Sequence, residues 1–235
     1  MPHARGETGE YEGKEDGQLT PFVIRDCSLL IRMSGLLPAA DLRELRDRIA
    51  ACSENVLFHH FFETLLRPTF DNPDYRNDFA VWAKLYLDER VLAERLGILD
   101  PYSYSSLDEL RNMVLGLIDE RLKELTLVPR ARQGDEFFFQ EATTVVFDTG
   151  ERIRHPRELA PAIRGMTNGS IYYHFLEARR RSQAGKDDFS LWLMGDGKKY
   201  ERHIHELASI DLFFHSLAHL RADLLRALSN MGSLG

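Results

Sequence analysis

The chain repeats itself, and that limits its possible folds more than any other feature. Arg43 to Leu66 lies on Arg157 to Arg180 without a gap at an offset of 114, and seven of the 24 pairs are identical. They are Arg43/Arg157, Glu44/Glu158, Leu45/Leu159, Ile49/Ile163, His60/His174, Phe61/Phe175 and Glu63/Glu177. Four residues then drop out of the following loop. After it, Asp78-Phe79-Ala80-Val81-Trp82 meets Asp188-Phe189-Ser190-Leu191-Trp192, which superposes the only two tryptophans in the chain. Asp100 meets Asp211. Ser106, Leu107, Leu110 and Arg111 meet Ser216, Leu217, Leu220 and Arg221, and at the front Phe22 meets Phe137. The order of landmarks never breaks, so the expectation is a tandem duplication of one unit, packed about a pseudo-two-fold axis.

The expected halves run from residue 21 to 128 and from 136 to 231. Residues 129–135, which include Pro129 and Gly134, form a polar linker between them. Residues 1–20 carry two basic and five acidic side chains with little apolar content, and read as a disordered acidic tail; residues 232–235 form a short second tail. At 43% hydrophobic and 29% charged the 235 residues have ordinary globular composition, with enough length to bury a sizeable core. The net charge of −7 argues against a nucleic-acid partner, whose footprint would be basic. No run approaches the apolar length of a membrane span. Two cysteines, Cys27 and Cys52, are too few for a disulfide scaffold and suit a reducing, cytoplasmic setting.

Each half opens on a strand-like segment. Phe137 to Phe147 is rich in β-branched and aromatic residues and stops at Asp148-Thr149-Gly150, a turn signal. Pro21 to Met33 is its weaker counterpart. Helices follow. Asp41 and Pro156 open short ones, Asn55 and Ser170 sit where caps of the aromatic helices Val56–Arg67 and Ile171–Ser182 belong, and Asp78 and Asp188 precede the tryptophans. Ser106–Glu124 and Ser216–Asn230 show amphipathic spacing behind a serine cap. The expected class is mainly α with a small β component (α+β).

Several motifs carry a resemblance: Ser170-Ile171-Tyr172-Tyr173-His174-Phe175-Leu176-Glu177-Ala178, Asp188-Phe189-x-x-Trp192, and Asp100-Pro101-Tyr102-x-Tyr104-Ser105-x-Leu107 with Leu110-Arg111. Over residues 21–231 the chain resembles an uncharacterised bacterial family, a domain of unknown function present as two tandem copies per chain. The first half departs from the second at Asn55-Val56 and His59, which stand opposite Gly169-Ser170 and Tyr173. The second half has Asp211-Leu212-Phe213 in place of Asp-Pro-Tyr. The resemblance implies no activity.

The strongest candidate chemistry is the repeated His-x-x-Glu. His60 with Glu63, and His174 with Glu177, are three apart and share a helix face. If the halves brought them together, two imidazoles and two carboxylates would resemble the donor set of a dimetal bundle, though with the order reversed and no further glutamate on a partner helix. The simpler reading, an intrahelical His–Glu hydrogen bond with the two sites far apart, is favoured. Trp82 and Trp192 are candidate pocket walls and, more simply, core residues. His203, His205, His215 and His219 read as a solvated face, Gly195-Asp196-Gly197 as a loop too short to hold phosphate, and Arg179-Arg180-Arg181 as cations suited to a helix C-terminus. An aspartic-protease reading of Asp148-Thr149-Gly150 fails because the duplicate holds Met33-Ser34-Gly35.

The expected function is therefore a soluble, non-catalytic binding or regulatory module for a small molecule or protein partner. Its candidate ligand-binding residues are His60, Glu63, Trp82, His174, Glu177 and Trp192. The alternative is a metal-dependent enzyme using the same His-x-x-Glu pairs. The sequence assigns no cofactor, and leaves metal, ligand and oligomeric state open.

Overall fold

Strand β1, Phe22–Met33, is the first element in a computed structural model that describes residues 19–66, 75–182, 184–211, 216–229 and 231. The helices α1 (Leu42–Ala51), α2 (Glu54–Phe62), α3 (Asp78–Leu87), α4 (Arg90–Gly97) and α5 (Leu107–Glu124) follow it. Then comes β2, Gln140–Ile153, and after it α6 (Leu159–Gly165) and α7 (Asn168–Ile171). A π-helical turn, Tyr172–Glu177, leads into α8 (Ala178–Arg181), and α9 (Asp188–Met194), α10 (Glu201–Ala208) and α11 (Leu217–Ala227) complete the fold. The architecture is mainly α with one small antiparallel sheet. The acidic segment up to residue 18, the C-terminal ends of the expected helices at Arg67 and Asn230, His215 and residues 232–235 lie outside the described residues.

The caps explain where the helices start. Ser106 and Ser216 cap α5 and α11, as their spacing predicts, each accepting a backbone N–H three residues on. For the aromatic helices the caps are Ser53 and Thr167 rather than Asn55 and Ser170. Asn77 and Asp187, rather than Asp78 and Asp188, cap α3 and α9. Neighbouring capping residues look alike in sequence; only the one with extended backbone can turn its oxygen onto the first turn. At the other end of α1, Arg111 donates to the carbonyls of Ile49 and Cys52 at 2.7 and 2.9 Å. Arg221 does the same for Ile163 and Met166 beyond α6, at 2.8 and 2.6 Å. These guanidinium groups satisfy carbonyls that a helix end leaves without partners.

The strands β1 and β2 pair with each other, from Phe22 opposite Ile153 to Met33 opposite Gln140. Two sequence expectations change here. Asp148-Thr149-Gly150 does not end the strand; Asp148 pairs with Arg25, and residues 149–151 form a bulge before the pair Val23–Arg152. Gly150 takes φ of +84°, and the Thr149 hydroxyl donates to the Ile24 carbonyl at 2.7 Å, so turn chemistry is absorbed without breaking the ladder. Phe137 and Phe139, expected within the strand, lie before it and are bound to the first set of helices, with Phe137 bridging Ala39.

The core is divided in an unexpected way. Buried side chains of α1–α5 form one cluster, completed by Phe137 and Phe139 from the segment leading into β2. Side chains of the later helices form another, completed by Phe22, Ile24 and Cys27 from β1. Each set of helices thus closes on the strand that belongs, in sequence, to the other set. At Gly169 the fit is so close that an added Cβ would press on the Cys27 carbonyl, which accounts for glycine where the first half carries Asn55.

Candidate functional site

His60 lies on α2, and neither of its ring nitrogens faces Glu63. Nε2 accepts the backbone N–H of Gln140 at 3.0 Å, and Nδ1 meets Asp78 Oδ2 at 2.6 Å. His174, in the π-helical turn, does the same: Nε2 accepts the N–H of Arg25 at 2.8 Å and Nδ1 meets Asp188 Oδ2 at 2.8 Å. A backbone N–H can only donate, so Nε2 must be bare in both rings. The ring proton then sits on Nδ1 and is donated to the aspartate. Each imidazole is a clamp between a helical segment and a strand, α2 to β2 at His60 and the π-helical turn to β1 at His174.

The expected His–Glu hydrogen bonds are therefore not formed. Glu63, at the 3-10 turn that ends α2, instead accepts from His59 Nδ1 at 2.7 Å and from the Thr144 hydroxyl at 3.3 Å. Glu177 takes two bonds from Arg180, at 2.6 and 3.0 Å. Spacing puts i and i+3 on one face but does not aim their side chains at each other, and both glutamates find partners nearer the ribbon. The two histidines are also far apart. Arg25 and Met33, the partner of Gln140, are eight residues apart in β1. At a strand rise of about 3.3 Å per residue the two clamps stand about 26 Å from each other. Among the described residues no three His, Cys, Asp or Glu side chains gather as a metal site.

Aromatic rings wall each clamp. His60 packs on Phe137 and Phe79 with centroids 4.9 and 5.3 Å away, and Trp82 meets Phe137 at 5.7 Å. His174 packs on Phe22 and Phe189 at 4.9 and 5.8 Å, and Trp192 meets Phe22 at 5.6 Å. The indole N–H groups donate to Asp135 and Thr20 carbonyls at 2.8 and 2.7 Å. Trp82 is 4% exposed, but Trp192 is only half-buried, because it borders an open cleft. We expect Trp82→Ala to cost about 3–5 kcal/mol and Trp192→Ala about 1–2 kcal/mol, read from denaturant unfolding.

A cleft opens beside each clamp. The one at His174, about 280 Å³, is bordered by Trp192, Arg25, Arg181, Tyr173 and Asp188. The one at His60, about 220 Å³, is bordered by Trp82, Asp78, Tyr86, Glu136 and Gln140. The three consecutive arginines each lie over a ring: Arg179 over Phe175, Arg180 over Phe58 and Arg181 over Tyr173, at 4.3, 4.7 and 4.1 Å. Arg181 also pairs with Asp188 at 3.0 Å. These contacts reach well beyond the helix-end role that the sequence suggests.

Other titratable groups stay structural. Burial pushes the Cys27 thiol up to about 12 and raises Cys52, so neither is a thiolate near neutral pH. Burial also lifts Asp187 above the usual carboxylate range, opposed by the N–H and hydroxyl of Ser190, which both donate to it. His203, expected on a solvated face, is 4% exposed, whereas His205 and His219 are exposed. Sequence reasoning points to Tyr173, Asp78 and Asp188 as neighbours of the imidazoles, but misses Arg25 and Arg181 beside His174, and His59 as the partner of Glu63. A signal for the clamps was present: the identical pairs His60/His174 and Asp78/Asp188 belong to the same aligned set.

A family model described as a family of unknown function, DUF5752, matches residues 19–229 in one stretch. The chain belongs to this DUF5752 family. Its match spans both sets of helices and both strands. OrfY from Thermoproteus tenax has a similar structure, with a TM-score of 0.74 and 26% identity over 93% of this chain and 99% of that one. No curated protein matches the chain. Among the described residues of this DUF5752 member, no helix is long and apolar enough to cross a membrane.

Proposed function

We propose that this chain is a non-catalytic binding module of the cytoplasm, built by tandem duplication of a strand-plus-helices unit whose strands have been exchanged. The observation that carries the binding reading is the state of the two histidines. Both nitrogens of each ring are committed, Nε2 to a strand N–H and Nδ1 to an aspartate, which leaves none for a metal or for proton transfer, yet each clamp borders a cleft with an aromatic wall. Clefts of about 220 and 280 Å³ suit fragment-sized molecules.

Three sets of recurring contacts support the duplication. Arg111 and Arg221, and Trp82 and Trp192, donate to aligned carbonyls, and His60 and His174 accept from aligned backbone N–H groups. The ladder agrees. Arg25 aligns with Gln140 and pairs with Asp148, while Met33 aligns with Asp148 and pairs with Gln140, a reciprocity that supports a two-fold relation centred on the pair Leu29–Thr144.

Elemental analysis together with a thermal-shift screen tests the binding reading. The purified chain is expected to carry no stoichiometric zinc, iron or manganese, and a class of small organic compounds is expected to raise its unfolding midpoint. Stoichiometric metal lost in a folded His60→Ala, His174→Ala double variant would instead favour the metal-dependent enzyme.

A further inference from the structure

We propose that the cleft beside His174 takes a small organic oxyanion, a carboxylate or phosphate carried on a flat apolar body, while its counterpart beside His60 does not. This rests on the binding-module reading and adds the chemical class of the ligand. The cleft has a cationic wall and an aromatic one. On the first, the Arg25 guanidinium is exposed, touches the Tyr173 hydroxyl at 3.4 Å, and makes no ion pair among the described residues. Arg181 lies over the same tyrosine ring at 4.1 Å, with a single carboxylate among the described residues, Asp188, at 3.0 Å.

Asp188 is shared. One of its oxygens receives both the His174 ring proton and Arg181, so the carboxylate is already engaged and an arginine charge remains over. A guanidinium held at one edge and open at the other is suited to a planar or tetrahedral oxyanion, which it binds through paired N–H groups. The aromatic lining is Trp192, half-buried, and Phe22, whose ring centroids are 5.6 Å apart. An apolar ring laid there would be held by the indole face. A volume of about 280 Å³ limits the occupant to a fragment-sized molecule.

The paired cleft provides the internal contrast. The residue aligned with Arg25 is Gln140, and Glu136 adds a negative charge at the rim. In place of Tyr173 stands His59, fully buried and bonded to Glu63 rather than facing the cleft. The chain also widens its helix into a π turn, Tyr172–Glu177, only on the His174 side; the aligned stretch is α-helix running into a 3-10 turn. Such insertions recur where a helix serves a site. Among the described residues two arginines border the His174 cleft and none borders the His60 cleft, a difference that fits use of a single copy for an anion.

Calorimetric titration of the full chain with four probes tests this: benzoate, phenyl phosphate, neutral benzamide and inorganic phosphate. Benzoate or phenyl phosphate is expected to bind at one site, at least about tenfold more tightly than benzamide and inorganic phosphate, and to weaken as salt rises. The stronger of the two identifies the anionic group. Arg25→Gln copies the aligned residue and leaves the backbone N–H that His174 accepts, so the fold is retained while affinity falls about tenfold or more. Equal binding of benzamide, or indifference to Arg25→Gln, would overturn the oxyanion class and leave the binding module standing. Equal binding of inorganic phosphate would remove the apolar body from the proposal. No heat with any probe at about 10 mM would overturn the ligand class, and a thermal-shift screen that also found no ligand would overturn the binding-module reading with it.

Discussion

Phe139→Ala is expected to destabilise the protein by about 3–5 kcal/mol, and to damage the first set of helices rather than the second. Phe139 is fully buried, and with Phe137 it completes the cluster formed by α1–α5, although both residues precede β2 in the second half of the sequence. Removing the ring leaves a cavity among helices that begin about a hundred residues earlier in the chain. Phe22→Ala is the converse, because Phe22 opens β1 but packs with Phe189 and Trp192. Hydrogen exchange separates the two. Phe139→Ala is expected to lower amide protection first in α2 and α3, and Phe22→Ala first in α9. Protection lost on the side to which each residue belongs in sequence would contradict the exchange. By the same logic, residues 21–128 or 136–231 produced alone are each expected to remain unfolded, and a mixture of the two to recover helical content.

The parts of the fold that were legible in the sequence are those fixed by local chemistry. Ser106 and Ser216 announce their helices because a serine before an amphipathic run has one good use. Arg111 and Arg221 stand out as an identical pair, and both close a helix end. The partner of each strand was not legible. Alternation and β-branching mark a face for burial without naming which helices will cover it, so a strand and its exchanged equivalent produce the same pattern. Asp148-Thr149-Gly150 misleads for a related reason. Gly150 does supply the positive φ that a turn needs, but β1 lies alongside and the ladder resumes past it. At the candidate site, the apolar circumference of the aromatic helices predicts a central position, and Phe61 and Phe175 are buried. The His–Glu pairing failed because the decisive partners, Asp78 and Asp188, lie 18 and 14 residues away, beyond any periodicity argument.

The second large effect concerns the clamps themselves. His174→Ala removes the acceptor of the Arg25 N–H and the donor to Asp188, and leaves a gap beside Phe22 and Phe189. An unsatisfied buried group costs about 1–3 kcal/mol, so two lost bonds and a cavity together are expected to cost about 3–5 kcal/mol. His60→Ala, which strands the Gln140 N–H and Asp78, is expected to cost about the same. The double variant carries the mechanistic content. Sites about 26 Å apart along β1, with no shared partner, should contribute independently. The double loss should therefore equal the sum of the single losses within about 0.5 kcal/mol, measured by urea unfolding in a stabilising buffer or with each single variant in a background strengthened elsewhere. A coupling of 1 kcal/mol or more would mean that the histidines act as one centre. Converging imidazoles and carboxylates would behave that way, and two independent clamps would not.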